Sequence, residues 1–490
     1  MNILQVSAEM APYAKVGGLA DMCGALPAAW TKQGHSVLAV IPLYGTIDRD
    51  RYRITETDIM LTVPLGHWQE YATVYTGTLP GSTVTVYFIR SAEYFDRPGI
   101  YGYHDGFADN DRRFIFLSRA AFELAKILNF QPDVIHAHDY HTAPMMPMLR
   151  IHYRYDPFFS RTAGVFTIHN MAYQGVYEPS LAMSLCGFKH DDFYTGCWFE
   201  HGGTFNAMKA GIMFADKVTT VSPTYAQEIR WTKEGMGLQD ALQTRGADLI
   251  GVLNGIDPTV WSPDADAALP VRYTAQTIEK KEAAKRALLM EMGLDLQTAS
   301  EEIPLLGMVS RLTEQKGISI VLPALEHIIG NKSARFILLG SGETEFEDRF
   351  RELQHRYPQH VLLGIGYNEP LSHRIQAGSD FYLMPSKFEP CGLTQMFALA
   401  YATIPIVHAV GGLNDTVFSY DPVAFTGNGI RFDRFTSDAL THAIQQGLHL
   451  YRKEPHWSAI RKNAMECNNS IDRTAEEYIT LFGWALENVQ

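Results

Sequence analysis

The chain has 490 residues, room for two or three domains, with 46% hydrophobic and 19% charged residues, the balance of an ordinary globular protein with large cores. Its 41 basic and 54 acidic residues leave a formal charge of −13 with no basic stripe, which argues against nucleic acid but not against a small anionic ligand. The five cysteines, at 23, 186, 197, 391 and 467, include no CxxC, so neither a disulfide framework nor a zinc finger is expected, and a reducing compartment fits. No signal-peptide pattern leads the chain, and no apolar run approaches the ~18–20 residues that span a bilayer, so no membrane association is expected.

Asn2–Ala8 reads as a buried strand, Gly18–Gln33 as a helix closed by Gly34, and Ser36–Pro42 as the next strand. Thr55–Val63, Tyr71–Leu79 and Thr83–Ile89 read as a small antiparallel insertion with Pro80-Gly81 as a turn. Val134–Asp139, Gly164–His169, Lys217–Ser222 and Leu249–Leu253 are continuous apolar runs, as expected of parallel strands covered on both faces. Pro258, Pro263 and Pro270 then mark a linker, followed by a helix over Thr277–Met292. The strand-helix rhythm restarts with Leu305–Ser310, Phe336–Gly340, Val361–Ile365, Phe381–Pro385 and Ile404–Val410. Such alternation predicts an α/β protein of two Rossmann-like, doubly wound parallel-sheet domains facing each other. The expected boundaries are 1–256, 257–468 and a C-terminal helix in 469–490 that returns to the first domain.

Ligands of open α/β sheets bind beyond the carboxyl ends of the strands. After the first strand comes Lys15-Val16-Gly17-Gly18-Leu19-Ala20-Asp21, where two glycines and a helix start could cradle phosphate beside the Lys15 charge, or form a plain tight turn. His136-Ala137-His138-Asp139-Tyr140-His141 has the residue types of a metal site, but its spacing fits a polar pocket better. Asp139 is then the sugar or electrostatic contact and His136 packs in the core. Thr167-Ile168-His169-Asn170 offers a His-Asn pair for sugar hydroxyls, with a helix-capping Asn170 as the alternative. In the second half, Arg311 and Lys316 could converge on a pyrophosphate leaving group, or form a solvated turn. Ser386-Lys387-Phe388-Glu389-Pro390-Cys391-Gly392-Leu393-Thr394 leads from a strand into a helix, with Glu389 as a sugar contact or a helix cap. Gly411-Gly412-Leu413 echoes Gly17-Gly18-Leu19 and suggests one anion or sugar site built between the two domains.

Taken in order, these motifs resemble those of the bacterial glycogen synthase and plant starch synthase family. They are Lys15-Val-Gly-Gly-Leu, His-Ala-His-Asp at 136–139, Thr-Ile-His-Asn at 167–170, Asn-Gly-Ile-Asp at 254–257, Ser-Arg-Leu-Thr-Glu-Gln-Lys-Gly at 310–317 and Ser-Lys-Phe-Glu-Pro-Cys-Gly-Leu-Thr-Gln at 386–395. The resemblance implies a GT-B fold with a deep interdomain cleft. The implied enzyme is a retaining hexosyltransferase that moves glucose from ADP-glucose, or UDP-glucose, to the non-reducing end of an α-1,4-glucan such as glycogen or starch. It implies no metal and no cofactor. It places the donor on Lys15, Gly18, Arg311, Lys316, Tyr367, Glu389, Cys391, Gly392, Leu393 and Thr394. The reaction centre falls on Lys15, His169, Asp139, Glu389, Arg311 and Lys316, and acceptor contacts on Glu9, Asp21 and Asn170. Closure is expected to bring the Lys15 and Glu389 loops together and exclude water.

The resemblance also implies a cytoplasmic enzyme of a bacterium or cyanobacterium, or a plastid enzyme whose leader was removed. Two departures stand out: His408 and its neighbours, where many bacterial members carry arginine, and Ile471, where an aromatic is usual. Other readings remain open: a GT-B transferase with a small acceptor, or a non-catalytic glucan-binding relative. A nicotinamide oxidoreductase lacks its GxGxxG after a strand.

Overall fold

The computed structural model describes residues 1–103, 106–296 and 302–489. The chain divides into two compact units, Met1–Gly255 with Ile471–Gln490, and Ile256–Ser470. The first contains strands β1 (Asn2–Val6), β2 (Ser36–Pro42), β3 (Thr55–Leu65), β4 (Trp68–Thr78), β5 (Thr85–Arg90), β6 (Val134–His138), β7 (Ala163–Ile168), β8 (Val176–Tyr177), β9 (Glu200–His201), β10 (Thr204–Asn206), β11 (Lys217–Thr220) and β12 (Leu249–Gly251). Nine of them form one sheet in the order β12-β11-β7-β6-β1-β2-β5-β4-β3, and β8-β10-β9 form a small separate one.

The order reverses at β1, which pairs in parallel with β2 on one side and β6 on the other. That reversal is the switch point at which such sheets open a crevice beyond their carboxyl ends. It brings the segments leaving β1, β6 and β7 onto one rim. The expected antiparallel strands form, β4 pairing with both β3 and β5, and they extend this sheet rather than standing apart from it. β5 lies parallel against β2 and joins the meander to the main sheet. An alternating strand looks the same in sequence whichever neighbour it pairs with.

The helix Gly18–Lys32 stops where Gly34 turns left-handed at φ +87°, a conformation glycine adopts without Cβ strain. The final helix, Ile471–Glu487, belongs to this unit. Trp30 Nε1 donates to the Ala475 carbonyl, Thr474 Oγ1 to that of Leu253, and Tyr478 and Phe482 pack against Trp30 and His136. Ile471 is buried in the same core.

The second unit holds β13 (Leu305–Val309), β14 (Arg335–Gly340), β15 (Val361–Ile365), β16 (Phe381–Met384), β17 (Ile404–His408) and β18 (Ile430–Phe432). They form one parallel sheet in the order β15-β14-β13-β16-β17-β18, with its own reversal at β13. The proline-marked linker is fixed to this unit. Trp261 stacks on His373 and Phe397, and Asp266 accepts from His373 and Tyr401. The predicted helix after it starts with a short 3-10 segment, Ala275–Lys280, and becomes α-helical over Lys281–Glu291. No helix among the described residues is long and apolar enough to cross a membrane.

Candidate active site

In the first unit the loop after β1 is shaped from within by Glu9. Its carboxylate is buried and accepts from the amides of Val16 (2.6 Å) and Gly17 (3.0 Å) and from the Tyr101 hydroxyl. Burial raises the Glu9 carboxyl, and the tyrosine and the two amides oppose that rise. The loop therefore spends two of its amides on Glu9. Those of Gly18 and Leu19, at the first turn of the helix, are the ones its ladder leaves unpaired. Gly17 opens outward, for a Cβ there would meet nothing within 4 Å. Lys15 is exposed and bridges to Asp21 at 2.6 Å, so a residue expected at the donor and one expected at the acceptor share an ion pair.

The three histidines near β6 go to three different places. His136 is buried with Nε2 2.7 Å from Thr167 Oγ1. His138 Nδ1 lies 3.0 Å from His169 Nε2, and His141 stacks on Tyr101. No group of three or more metal-binding side chains gathers among the described residues. Asp139 does not end the strand as expected; it begins a short helix, Asp139–Thr142, with φ at +53°. That turn aims its carboxylate back at the end of β7, where Oδ1 accepts from the amides of His169 (2.7 Å) and Asn170 (3.4 Å).

Burial pushes the Asp139 carboxyl up to about 7, against the pull of those two amides. Burial alone lowers His169 to about 3. Asn170 Oδ1 accepts from the amide of Ala172, the local turn bond that its residue type favours.

In the second unit the loops after β13 and β16 are laced together. Lys387 N donates to the Gln315 carbonyl at 2.8 Å, and Gly317, at φ +76°, approaches so closely that a Cβ would fall 2.1 Å from the Pro385 oxygen. This contact sets Lys316 Nζ 2.6 Å from Glu389 Oε2, which also accepts from Ser386 Oγ at 2.9 Å. Glu389 is buried and paired and does not cap the following helix, which starts at Thr394. Arg311 is exposed on the same loop as Lys316, and Tyr367, just beyond β15, is 81% exposed.

Cys391 is buried, Gly392 takes φ +72°, Leu393 caps the helix, and Thr394 Oγ1 rests on Met384 sulfur. The second glycine pair differs from the first. A Cβ on Gly411 would lie 1.9 Å from the Glu389 oxygen and one on Gly412 2.2 Å from that of Cys391, so these glycines serve close packing behind the Glu389 loop. His408 supports the same loop by donating from Nδ1 to the Ser386 carbonyl at 2.8 Å. Sequence reasoning missed Tyr101, His138 and Ser386 as supports of the site. His138 and Ser386 lie inside named motifs that gave them no role of their own, and Tyr101 left no local signal.

The chain is similar to known proteins over nearly its whole length. A family profile described as "Starch synthase catalytic domain" matches residues 2–244, and one described as "Glycosyl transferases group 1" matches residues 297–465. The chain is 40% identical to glycogen synthase 1 of Geobacter metallireducens, covering 99% of this chain and 96% of that protein. It is also 40% identical to the glycogen synthase of Bacillus subtilis, covering 98% of each. The catalytic domain of starch synthase IV from Arabidopsis thaliana, solved bound to ADP and acarbose, superposes with a TM-score of 0.91 at 33% identity over 99% of both chains.

Proposed function

The chain belongs to the glycogen synthase and starch synthase family of GT-B glucosyltransferases, and from that premise we propose that it transfers glucose from ADP-glucose to the non-reducing end of an α-1,4-glucan with retention of configuration. The observation that carries the reading is the placing of a lysine on the loop that leaves each sheet's central strand, Lys15 after β1 and Lys316 after β13. These loops lie where doubly wound sheets take their ligands.

In this reading Lys15, Arg311 and Lys316 neutralise the diphosphate as the glycosidic bond breaks, assisted by the amides around Gly18 and Leu393. Tyr367 offers its ring to the adenine. Glu389 accepts from glucose hydroxyls, while its other bonds, to Lys316 and Ser386, hold it in place. The acceptor's 4-hydroxyl attacks on the face from which the diphosphate leaves and gives its proton to the departing phosphate oxygen. The glucosyl carbon becomes oxocarbenium-like beside Asp139 and His169. The acid pair of a glycosidase is not needed, because the donor supplies its own leaving group. Glu9 orders the Lys15 loop, and Asp21 and Asn170 are the acceptor-side groups.

The test is an initial-rate comparison of ADP-glucose and UDP-glucose with a glucan primer and with small acceptors. The reading predicts fastest transfer with ADP-glucose and the glucan. Transfer to small acceptors alone would favour a different GT-B activity, and tight glucan binding without transfer would favour a binding protein.

A further inference from the structure

His138 ends β6, and the ring of His169 lies just beyond β7, where their nitrogens Nδ1 and Nε2 stand 3.0 Å apart. Burial holds both rings in the neutral form. Two neutral imidazoles can share one hydrogen bond in two ways. If His169 Nε2–H donates, His138 must carry its proton on Nε2. That atom is buried and has no hydrogen-bond partner among the described residues, so the proton would be an orphaned donor. If His138 Nδ1–H donates, its Nε2 is a bare lone pair instead. Among backbone groups, buried N–H donors are left unpaired more rarely than acceptors, and the same preference favours the second arrangement.

The His136 ring, 4.0 Å from that of His138 between centroids, fills the space behind it. Asp139 fixes the other side of His169 through its backbone amide.

We propose that His138 is a positioning residue for glucosyl transfer: by donating from Nδ1 to His169 Nε2 it holds His169 as the Nδ1–H tautomer, so that this part-buried ring presents a donor to a hydroxyl oxygen of the transferred glucose. The proposal rests on the reading that sets His169 beside that glucose. It adds the residue that decides which hydrogen-bonding face His169 shows. Tautomer choice by the partner of the second ring nitrogen is a general property of histidine.

The direct test is 15N–1H correlation spectroscopy of the full chain labelled with 15N-histidine, which separates protonated from bare ring nitrogens. The His169 signals are identified by their loss in His169→Asn. The proposal predicts a protonated Nδ1 and a bare Nε2 on His169; a protonated Nε2 there overturns it. Kinetics give a second arm. His138→Phe keeps ring volume without the donor and is expected to lower kcat about 10- to 100-fold while leaving the donor KM within about 2-fold.

His138→Asn, whose amide nitrogen falls near the place of Nδ1, is expected to recover most of kcat. Equal losses in the Asn and Phe variants at unchanged melting temperature would show that only ring packing matters, and would overturn the proposal. Should His138→Phe not fold, the spectrum of the unmutated chain still decides the tautomer. Full activity in His169→Ala would instead refute the placing of His169 on glucose, a failure separate from that of the tautomer.

Discussion

Lys316 Nζ and Glu389 Oε2 are 2.6 Å apart although 73 positions separate them in the chain. The carboxylate is buried and also accepts from a serine hydroxyl, so the lysine is its counter-charge as well as a candidate phosphate ligand. Lys316→Ala should therefore lower kcat/KM for the donor by about 100- to 1000-fold, through loss of leaving-group stabilisation and of the Glu389 anchor together. Because the two residues act as a unit, Lys316→Ala combined with Glu389→Gln should lose less than the product of the single losses. An unchanged kcat/KM in Lys316→Ala removes the lysine from the reaction.

The two Gly-Gly pairs should separate under the same substitution. Gly411→Ala and Gly412→Ala force a methyl against the carbonyls of Glu389 and Cys391, and each should destabilise the chain by roughly 1–3 kcal/mol. Gly17→Ala meets open space and should stay within about 0.5 kcal/mol of the parent in denaturant melts. Its methyl faces the proposed phosphate path, so donor turnover should fall although stability does not. A Gly17→Ala protein with normal turnover would place the diphosphate elsewhere.

Asp139 gives a pH dependence whose sign is fixed by burial. A buried carboxyl raised to about 7 binds more protons in the folded chain than in the unfolded one between pH ~4 and ~7. Its contribution to stability is thus present at low pH and is lost as pH rises through that window. Asp139→Asn keeps an oxygen for the His169 and Asn170 amides but does not ionise. Its stability relative to the parent should rise from pH ~4 to ~7, by at most about 4 kcal/mol, and level off above. If Asp139 faces the oxocarbenium carbon as proposed, kcat/KM in the parent should rise with an inflection near 7 as the carboxylate ionises. A parallel stability profile in parent and variant would show that the group titrates normally.

Tyr367 is 81% exposed, so Tyr367→Ala should leave the melting temperature unchanged. If its ring stacks on the adenine, the KM for ADP-glucose should rise about 10-fold, and Tyr367→Phe should restore it. An unaltered KM in Tyr367→Ala would send the base to another surface.

The buried strands were readable because parallel strands covered on both faces leave unbroken apolar runs, as at Val134–Asp139 and Gly164–His169. Gly34 was readable because a helix that ends in a left-handed turn favours glycine. What escaped depends on partners distant in sequence. Nothing near β5 announces that it would pair with β2, and nothing around Glu9 announces Tyr101, 92 positions away. His138 and His169 each sit in a legible motif, yet their bond arises only from the register that sets His138 beside Thr167. The glycine pairs show a complementary gap: the sequence marks where backbone must come close, but not whether a ligand or the chain itself approaches.

The proposed reaction is retaining transfer of glucose from a nucleoside diphosphate glucose to a glucan. Proton NMR of the product formed from ADP-glucose labelled at the anomeric carbon, on a maltooligosaccharide primer, tests it most directly. The label is expected in a new α-1,4 linkage at the non-reducing end, with one ADP released per glucose added. A β-linked product, or ADP release that yields only free glucose, would contradict it.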